Sequence, residues 1–236
     1  MQLDKSSKAD SYIKESGEVH YITSDIHNNS EKFEELLKQL DLKKDDKLYI
    51  LGDLFDRSNY NPDPVGVYFT VLALGDKCHV IRGNHEQELA EYIAAYYQTQ
   101  EKKRVKLEQY PYNTFELLEE RLTPVDIQNM AEWILKLPLQ IEIAVGDKKY
   151  LLAHAMTVTP GNDCTNTVYL RGTEKFQNFL INGTEGYISI CGHSNPEGSE
   201  IWRNSKKNVI ICDCGCGFCS GRLGCLCLET GEEIYV

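Results

Sequence analysis

The chain has 236 residues, is 42% hydrophobic and 26% charged, and carries a net charge of −11. That length can bury a substantial core, and the acidic balance excludes general electrostatic binding to nucleic-acid polymers or anionic membranes, which needs a basic footprint. No apolar run is long enough to span a bilayer, and no early segment joins basic residues to a long apolar run, so no signal peptide is expected. The nine cysteines are odd in number and most crowd the last quarter, which fits reduced thiols better than a disulfide framework. A cytoplasmic location is the resulting expectation.

Residues 1–16 are polar and read as a flexible extension. A strand over 18–24 runs into "SDIHNN", where Ser30 is the expected cap of a helix carrying Phe33, Leu36, Leu37 and Leu40 at helical spacing. "KLYILGD" is a second strand, followed by a loop and a helix over 65–74. A third strand, 78–81, meets "RGNHE", and a helix is predicted from about 87 to 97. A helical region continues to 137, with Thr123 as cap and Pro124 as first helical residue of one member, and Pro138 closes it. "LQIEIAV" and "YLLAHA" form a predicted hairpin turning at Gly146 and Asp147. "YISICGH" is another strand, and the tail reads as three short strands joined by Gly-rich turns. Without repeats or a linker, a single domain over 1–236 is expected, α/β first and β-rich later (α+β), with packed sheets flanked by helices.

Five of these strands end in metal-capable residues. They are Asp25 and His27; Asp53 with Asp56 and Arg57; Asn84 and His85; His154; and His193. Side chains at the carboxyl ends of neighbouring strands can meet in one crevice. Oxygen and imidazole donors without cysteine suit manganese, iron or zinc. Two cations about 3.5–4 Å apart clamp a phosphoryl group and turn a bridging water into hydroxide near neutral pH. Asp53 is the expected bridge, because it follows a buried strand and a glycine. Each motif alone is common, and a lone strand-end histidine is usually structural. The ordered recurrence of all five, holding four of the six histidines, is what separates this pattern from noise. His20 and His79, inside strands, are read as packing residues.

D-x-H, G-D-x-x-D-R, R-G-N-H-E, A-H-A and G-H together resemble the calcineurin-type metallophosphoesterases, within them the phosphoprotein phosphatase branch. The chain is similar to bacterial and phage serine/threonine phosphatases of the bacteriophage lambda type, and shares motifs with symmetrical diadenosine tetraphosphatases. The resemblance implies a metallophosphoesterase fold of two packed mixed β-sheets flanked by helices, with a helical segment at about 101–137 near the site that sets specificity. It implies two divalent or transition metal ions, manganese first, with iron or zinc as alternatives. Asp25 and His27 would hold one ion, Asn84, His154 and His193 the other, and Asp53 both. Arg57, Arg82 and Arg171 would hold phosphate oxygens, His85 would be the general acid oriented by Asp56, and Glu86 would brace the site. Ser24, Asn28 and Ser58 stand where the family has glycine, which bears on loop geometry rather than on metal binding.

The leading expectation is one-step in-line hydrolysis by a serine/threonine protein phosphatase. The runner-up is a dinucleoside polyphosphate hydrolase, for which Tyr60, Tyr110, Tyr112 and Phe218 are available as stacking aromatics near the mouth. A non-catalytic scaffold is disfavoured, because all the ligands, the acid and three arginines are present. The expected partner is a phosphorylated protein or small phosphoester, with no nucleic-acid polymer and no membrane. The "EKKRVK" run reads as a solvated helix face before it reads as a contact for an acidic substrate. Cys216 and Cys219, with Cys225 and Cys227, invite a zinc reading. Against it, Cys212, Cys214 and Cys216 alternate as one strand face would, and buried packing is preferred.

Overall fold

The computed structural model describes residues 17–57, 60–102, 108–162 and 164–236. Strands β1 (His20–Thr23), β2 (Lys47–Ile50) and β3 (Cys78–Val80) are parallel neighbours. Helices α1 (Ser30–Leu40), α2 (Pro64–Leu74), α3 (Asn84–Lys102), α4 (Thr114–Arg121) and α5 (Pro124–Lys136) cover their outer face. The hairpin β4 (Gln140–Val145) and β5 (Lys148–Ala153) opens a second sheet, followed by α6 (Asn166–Arg171) and α7 (Phe176–Asn182). Strands β6 (Ile188–Cys191), β7 (Trp202–Arg203), β8 (Val209–Ile211), β9 (Gly224–Cys227) and β10 (Glu233–Tyr235) complete the chain. The sheets run β10-β9-β1-β2-β3 and β4-β5-β6-β8-β7, with β5, β6 and β8 parallel in the second.

Period-two alternation divides each strand between two cores. Ile22, Tyr49, Leu51 and Ile81 of the first sheet pack against Tyr150, Leu152, Ile190 and Ile210 of the second. On the opposite face Tyr21, Leu48, Ile50 and Val80 meet Phe33 and Leu36 of α1, Leu89 and Ile93 of α3 and Ile134 of α5. Val209 and Ile211 face Phe179 and Leu180 of α7. Burial of each such aliphatic or aromatic side chain contributes about 1.5–3 kcal/mol, and the result is a rigid two-sheet frame. Among the described residues no helix is long and apolar enough to cross a membrane.

Several elements depart from expectation. Asn29, not Ser30, caps α1, its side chain accepting from Lys32 N at 3.1 Å. Helix α3 begins at Asn84, so Asn84 and His85 lie in its first turn rather than in a loop before Gln87. The short α6 and α7, with β7, were not legible, because six or seven residues hold too few turns to show a 3.6-residue period. In the predicted helical segment, α4 and α5 bury Phe115, Leu118, Met130 and Ile134 in the core, and it is the linker 108–113 that reaches the site. The three tail strands form, but β8 joins one sheet while β9 and β10 join the other. Cys212 and Cys214 accordingly pack between the sheets and Cys216 on the helix side, so the expected single cysteine face breaks at Cys216. Cys225 and Cys227 belong to the same helix-side core as Cys216, and Cys219 is exposed. The extension 1–16, Ser58 and the "EKKRVK" run from residue 103 onward lie outside the described residues.

Candidate metal centre

The parallel strands of both sheets release their chains at one shared edge. Asp25 and His27 follow β1, Asp53 to Arg57 follow β2, and Arg82 to His85 follow β3. His154 follows β5 and His193 follows β6. The loops are stitched together: His27 N donates to Asp53 O at 2.9 Å, Gly192 N to His154 O at 2.8 Å, and His193 N crosses the sheets to Asp25 Oδ2 at 3.0 Å. Asp25, His27, Asn28, Asp53, Asp56, Arg57 and His193 all have positive φ, which accounts for seven of the ten non-glycine residues so placed among the described residues. Backbone strain of this kind costs about 1–3 kcal/mol per residue and persists where the surroundings over-determine it. Asn28 (φ 60°) stands where the resembled family has glycine, and asparagine is a side chain that tolerates the left-handed region. Gly83 is required by close approach: a Cβ there would lie 2.3 Å from Asp53 Oδ1.

Asp53 sits between two histidine groups. One is His27 and His85, the other His154 and His193, and in each the ligand-type atoms lie within 4.8 Å of one another. Its Oδ2 is 3.9 Å from both His27 Nε2 and His85 Nε2, and its Oδ1 is 3.3 Å from His154 Nε2. Each oxygen therefore faces its own group. Asp25 joins the first through Oδ1, 3.8 Å from His27 Nε2. Asn84 joins the second, with Oδ1 3.1 Å from His154 Nε2 and the same end of the amide 2.9 Å from His193 Nδ1. Backbone carbonyls fix the rings: Phe55 O lies 2.9 Å from His27 Nδ1 and Leu51 O lies 2.7 Å from His154 Nδ1, leaving Nε2 of each aimed inward.

Asp25, Asp53, Asp56 and Glu86 are all buried at 0–1% exposure, a concentration of carboxylate that demands compensation. Glu86 finds it in backbone N–H groups of Asp53, Leu54 and Gly83, at 2.8, 2.7 and 2.7 Å. Burial and the nearby Asp53 still push Glu86 up to about 7. Burial lifts Asp25 well above the usual carboxylate range, with Asp213 adding to it. Burial opposes ionisation of Asp53 too, but His154, His85 and His27 together hold it below that range. Burial disfavours charge on His154, yet Asp53 carries it to about 10, whereas burial and His154 drive His193 down to about 3. Asp53 and His154 thus each favour the charged form of the other.

The residues fit a metal cation. Asp25 Oδ1 is buried without a hydrogen-bond partner. Asn84 Oδ1 faces two imidazole nitrogens and, at 3.2 Å, the Leu170 carbonyl, an arrangement of lone pairs that repels unless the amide turns over or a cation enters. Oxygen and nitrogen donors about 2.0–2.2 Å from one ion lie about 3–3.6 Å apart, close to the spacings present. Among the described residues no cysteine belongs to either metal-capable group.

Beside the centre, His85 Nδ1 lies 2.9 Å from Asp56 Oδ2, which also accepts from Tyr110 Oη at 2.6 Å. Tyr112 packs its ring edge-on to His85, centroids 5.1 Å apart. Tyr110 is therefore buried inside the site rather than at its mouth as expected, and sequence gave no signal of it beyond an aromatic-rich linker. Arg57 bears electrostatically on both His27 and His193. Arg82 is engaged elsewhere, donating to Gln87 Oε1 at 2.8 Å and Leu137 O at 3.0 Å. Arg171 pairs with Glu88 across a cleft of about 290 Å³ that Asn84 and Leu170 also line.

Known proteins resemble this chain in sequence and in fold. The symmetrical bis(5'-nucleosyl)-tetraphosphatase of Enterobacter sp. (strain 638) is 30% identical over 226 residues, covering 90% of this chain and 71% of that one. The protein of the same name from Acidovorax ebreus (strain TPSY) is 30% identical over 136 residues, 57% of this chain and 43% of that one. Among solved structures, one provisionally described as a diadenosine tetraphosphatase has a TM-score of 0.61 at 20% identity over 94% of both chains. A protein serine/threonine phosphatase of Saccharomyces cerevisiae has 0.58 at 13% identity, covering 93% of this chain and 79% of that one. At those identities the two structures speak for the fold alone. Residues 21–218 match the model of the calcineurin-like phosphoesterases, from β1 to the turn after β8, and the chain belongs to that family.

Proposed function

We propose that this protein is a dinuclear-metal hydrolase that splits dinucleoside polyphosphates symmetrically. The observation that carries the metal chemistry is the buried Asp53 carboxylate, one oxygen toward each histidine group. The substrate rests on the relatives named symmetrical tetraphosphatases, one of them matched over 90% of this chain. Their names reverse the order reached from sequence, where phosphoserine and phosphothreonine came first.

Asp25, His27 and Asp53 would hold one cation, and Asp53, Asn84, His154 and His193 the other. When bound, such a pair lowers the pKa of water toward neutrality and offsets charge on the phosphoryl oxygens. Arg57 adds a guanidinium matched to those oxygens, and Arg171 does so once released from Glu88. Water oxygen bonds to one central phosphorus as the bridging oxygen leaves with the other half, giving two nucleoside diphosphates from a tetraphosphate. His85 Nε2, unpartnered and aimed inward, gives its proton to the leaving oxygen, while Asp56 and Tyr110 hold the ring. General acid help of this kind contributes about 10²–10⁴-fold, more for poorer leaving groups.

The test compares diadenosine tetraphosphate, a phosphoserine peptide and p-nitrophenyl phosphate with manganese, before and after chelation. ADP as the sole nucleotide product, at the highest kcat/KM of the three, is expected. A phosphopeptide preference would restore the protein phosphatase reading, and full activity after chelation would remove the metal.

A further inference from the structure

Two of the three large aromatics most exposed among the described residues, Tyr60 at 70% and Phe218 at 58%, line one cleft with Asn29, Lys32, Cys216 and Gly217. The cleft abuts the centre directly, for a Cβ on Gly217 would lie 2.7 Å from His27 Cδ2. The turn that carries Phe218 is anchored from both sides. Phe218 N donates to Gly215 O at 2.9 Å, Gly221 N to Phe218 O at 3.0 Å, and Arg222 N to Cys214 O at 3.0 Å. Cys216 Sγ meets Ile26 O at 3.4 Å on the loop after β1. The backbone at Phe218 is thus tied down while its ring stands exposed to water. Lys32 Nζ gives one hydrogen bond to Gly221 O, which leaves further ammonium protons over a cleft in a chain of net charge −11.

We infer that Tyr60 and Phe218 form the platform on which one nucleobase of the substrate stacks, with Lys32 near the phosphates leading to the centre. A base offers a flat π-face that two exposed rings can take, and the adjoining ammonium matches the charge of its polyphosphate arm. This rests on the dinucleotide reading above and adds the place where specificity for a nucleoside arises.

The test measures binding of ADP and of pyrophosphate to the manganese-loaded chain by calorimetry. The wild type should favour ADP, and Tyr60→Ala with Phe218→Ala should lower the ADP-to-pyrophosphate affinity ratio about tenfold or more. Phe218→Trp should keep the ratio and Phe218→Leu should reduce it. An unchanged ratio in the double variant, or no ADP preference in the wild type, overturns the platform. A wild type that cleaves diadenosine tetraphosphate while its variants keep the ratio loses the platform alone. One that shows the ADP preference without cleaving the dinucleotide keeps the platform and loses the tetraphosphatase reading.

Discussion

Asp53→Asn removes one negative charge from the carboxylate that both histidine groups share. Changes to groups that merely support metal ligands cost about 10–100-fold in affinity, so losing a shared ligand charge is set at about 100-fold for each ion. At a metal concentration 100 times the wild-type Kd, each ion stabilises the fold by about 2.7 kcal/mol, and after that loss by about 0.4 kcal/mol. The two sites together forfeit about 4–5 kcal/mol. For a chain of this length that is roughly 9–18 °C of the metal-induced rise in Tm. The assay is calorimetric melting of each protein with manganese and again with chelator, alongside elemental analysis after dialysis. Referring each protein to its own chelated form cancels the effect of the Asp53–His154 pair on the metal-free fold. A variant that retains two ions and the full rise in Tm refutes the bridging assignment.

His85→Asn should keep both ions, since the proposed ligands Asp25, His27, Asp53, Asn84, His154 and His193 leave His85 out. It should lose rate most on alkyl phosphates, by about 10²-fold or more, and least on nitrophenyl phosphate; equal losses would take the proton from His85. Tyr110→Phe deletes a 2.6 Å donor to the same carboxylate, which should lower stability by about 1–3 kcal/mol and reduce alkyl phosphate turnover more than nitrophenyl turnover. Wild-type behaviour on both counts would free Asp56 from Tyr110. In the metal-free protein Asp53 holds His154 protonated up to about 10. A raised imidazole stabilises the fold fully below about pH 6.5, and that contribution is lost as pH rises through about 10. Metal needs the neutral ring, so manganese affinity should rise between pH 7 and 10, by at most about tenfold per pH unit for one displaced proton; a flat profile from titration calorimetry would contradict the competition.

The meeting of the candidate ligands at one edge was legible in sequence because each follows a short apolar run, as Asp53 follows "YILG" and His193 follows "ISICG", and parallel strands that end together bring such residues to one edge. The partition of the tail was not legible. Strands β8 (Val209–Ile211) and β9 (Gly224–Cys227) are both short and fully buried, with no local mark of a partner, and only the packed frame decides that one pairs with β6 and the other with β1. Tyr110 was invisible for a related reason: its partner Asp56 is 54 residues away, and nothing local marks the pairing. The start of α3 was placed late because "RGNH" reads as a strand ending. Glu86, in the first turn of that helix, instead folds back to bind the backbone N–H of Asp53, Leu54 and Gly83, and the helix begins at Asn84. Arg82 shows the limit of a motif: its position is as the family pattern has it, while its guanidinium is engaged with Gln87 and Leu137.

Anomalous diffraction from manganese-loaded crystals, collected on both sides of the metal absorption edge, tests the arrangement most directly. Two peaks about 3.5–4 Å apart, one on each side of the Asp53 carboxylate, are the predicted result. A single peak, or peaks on the tail cysteines, would contradict it.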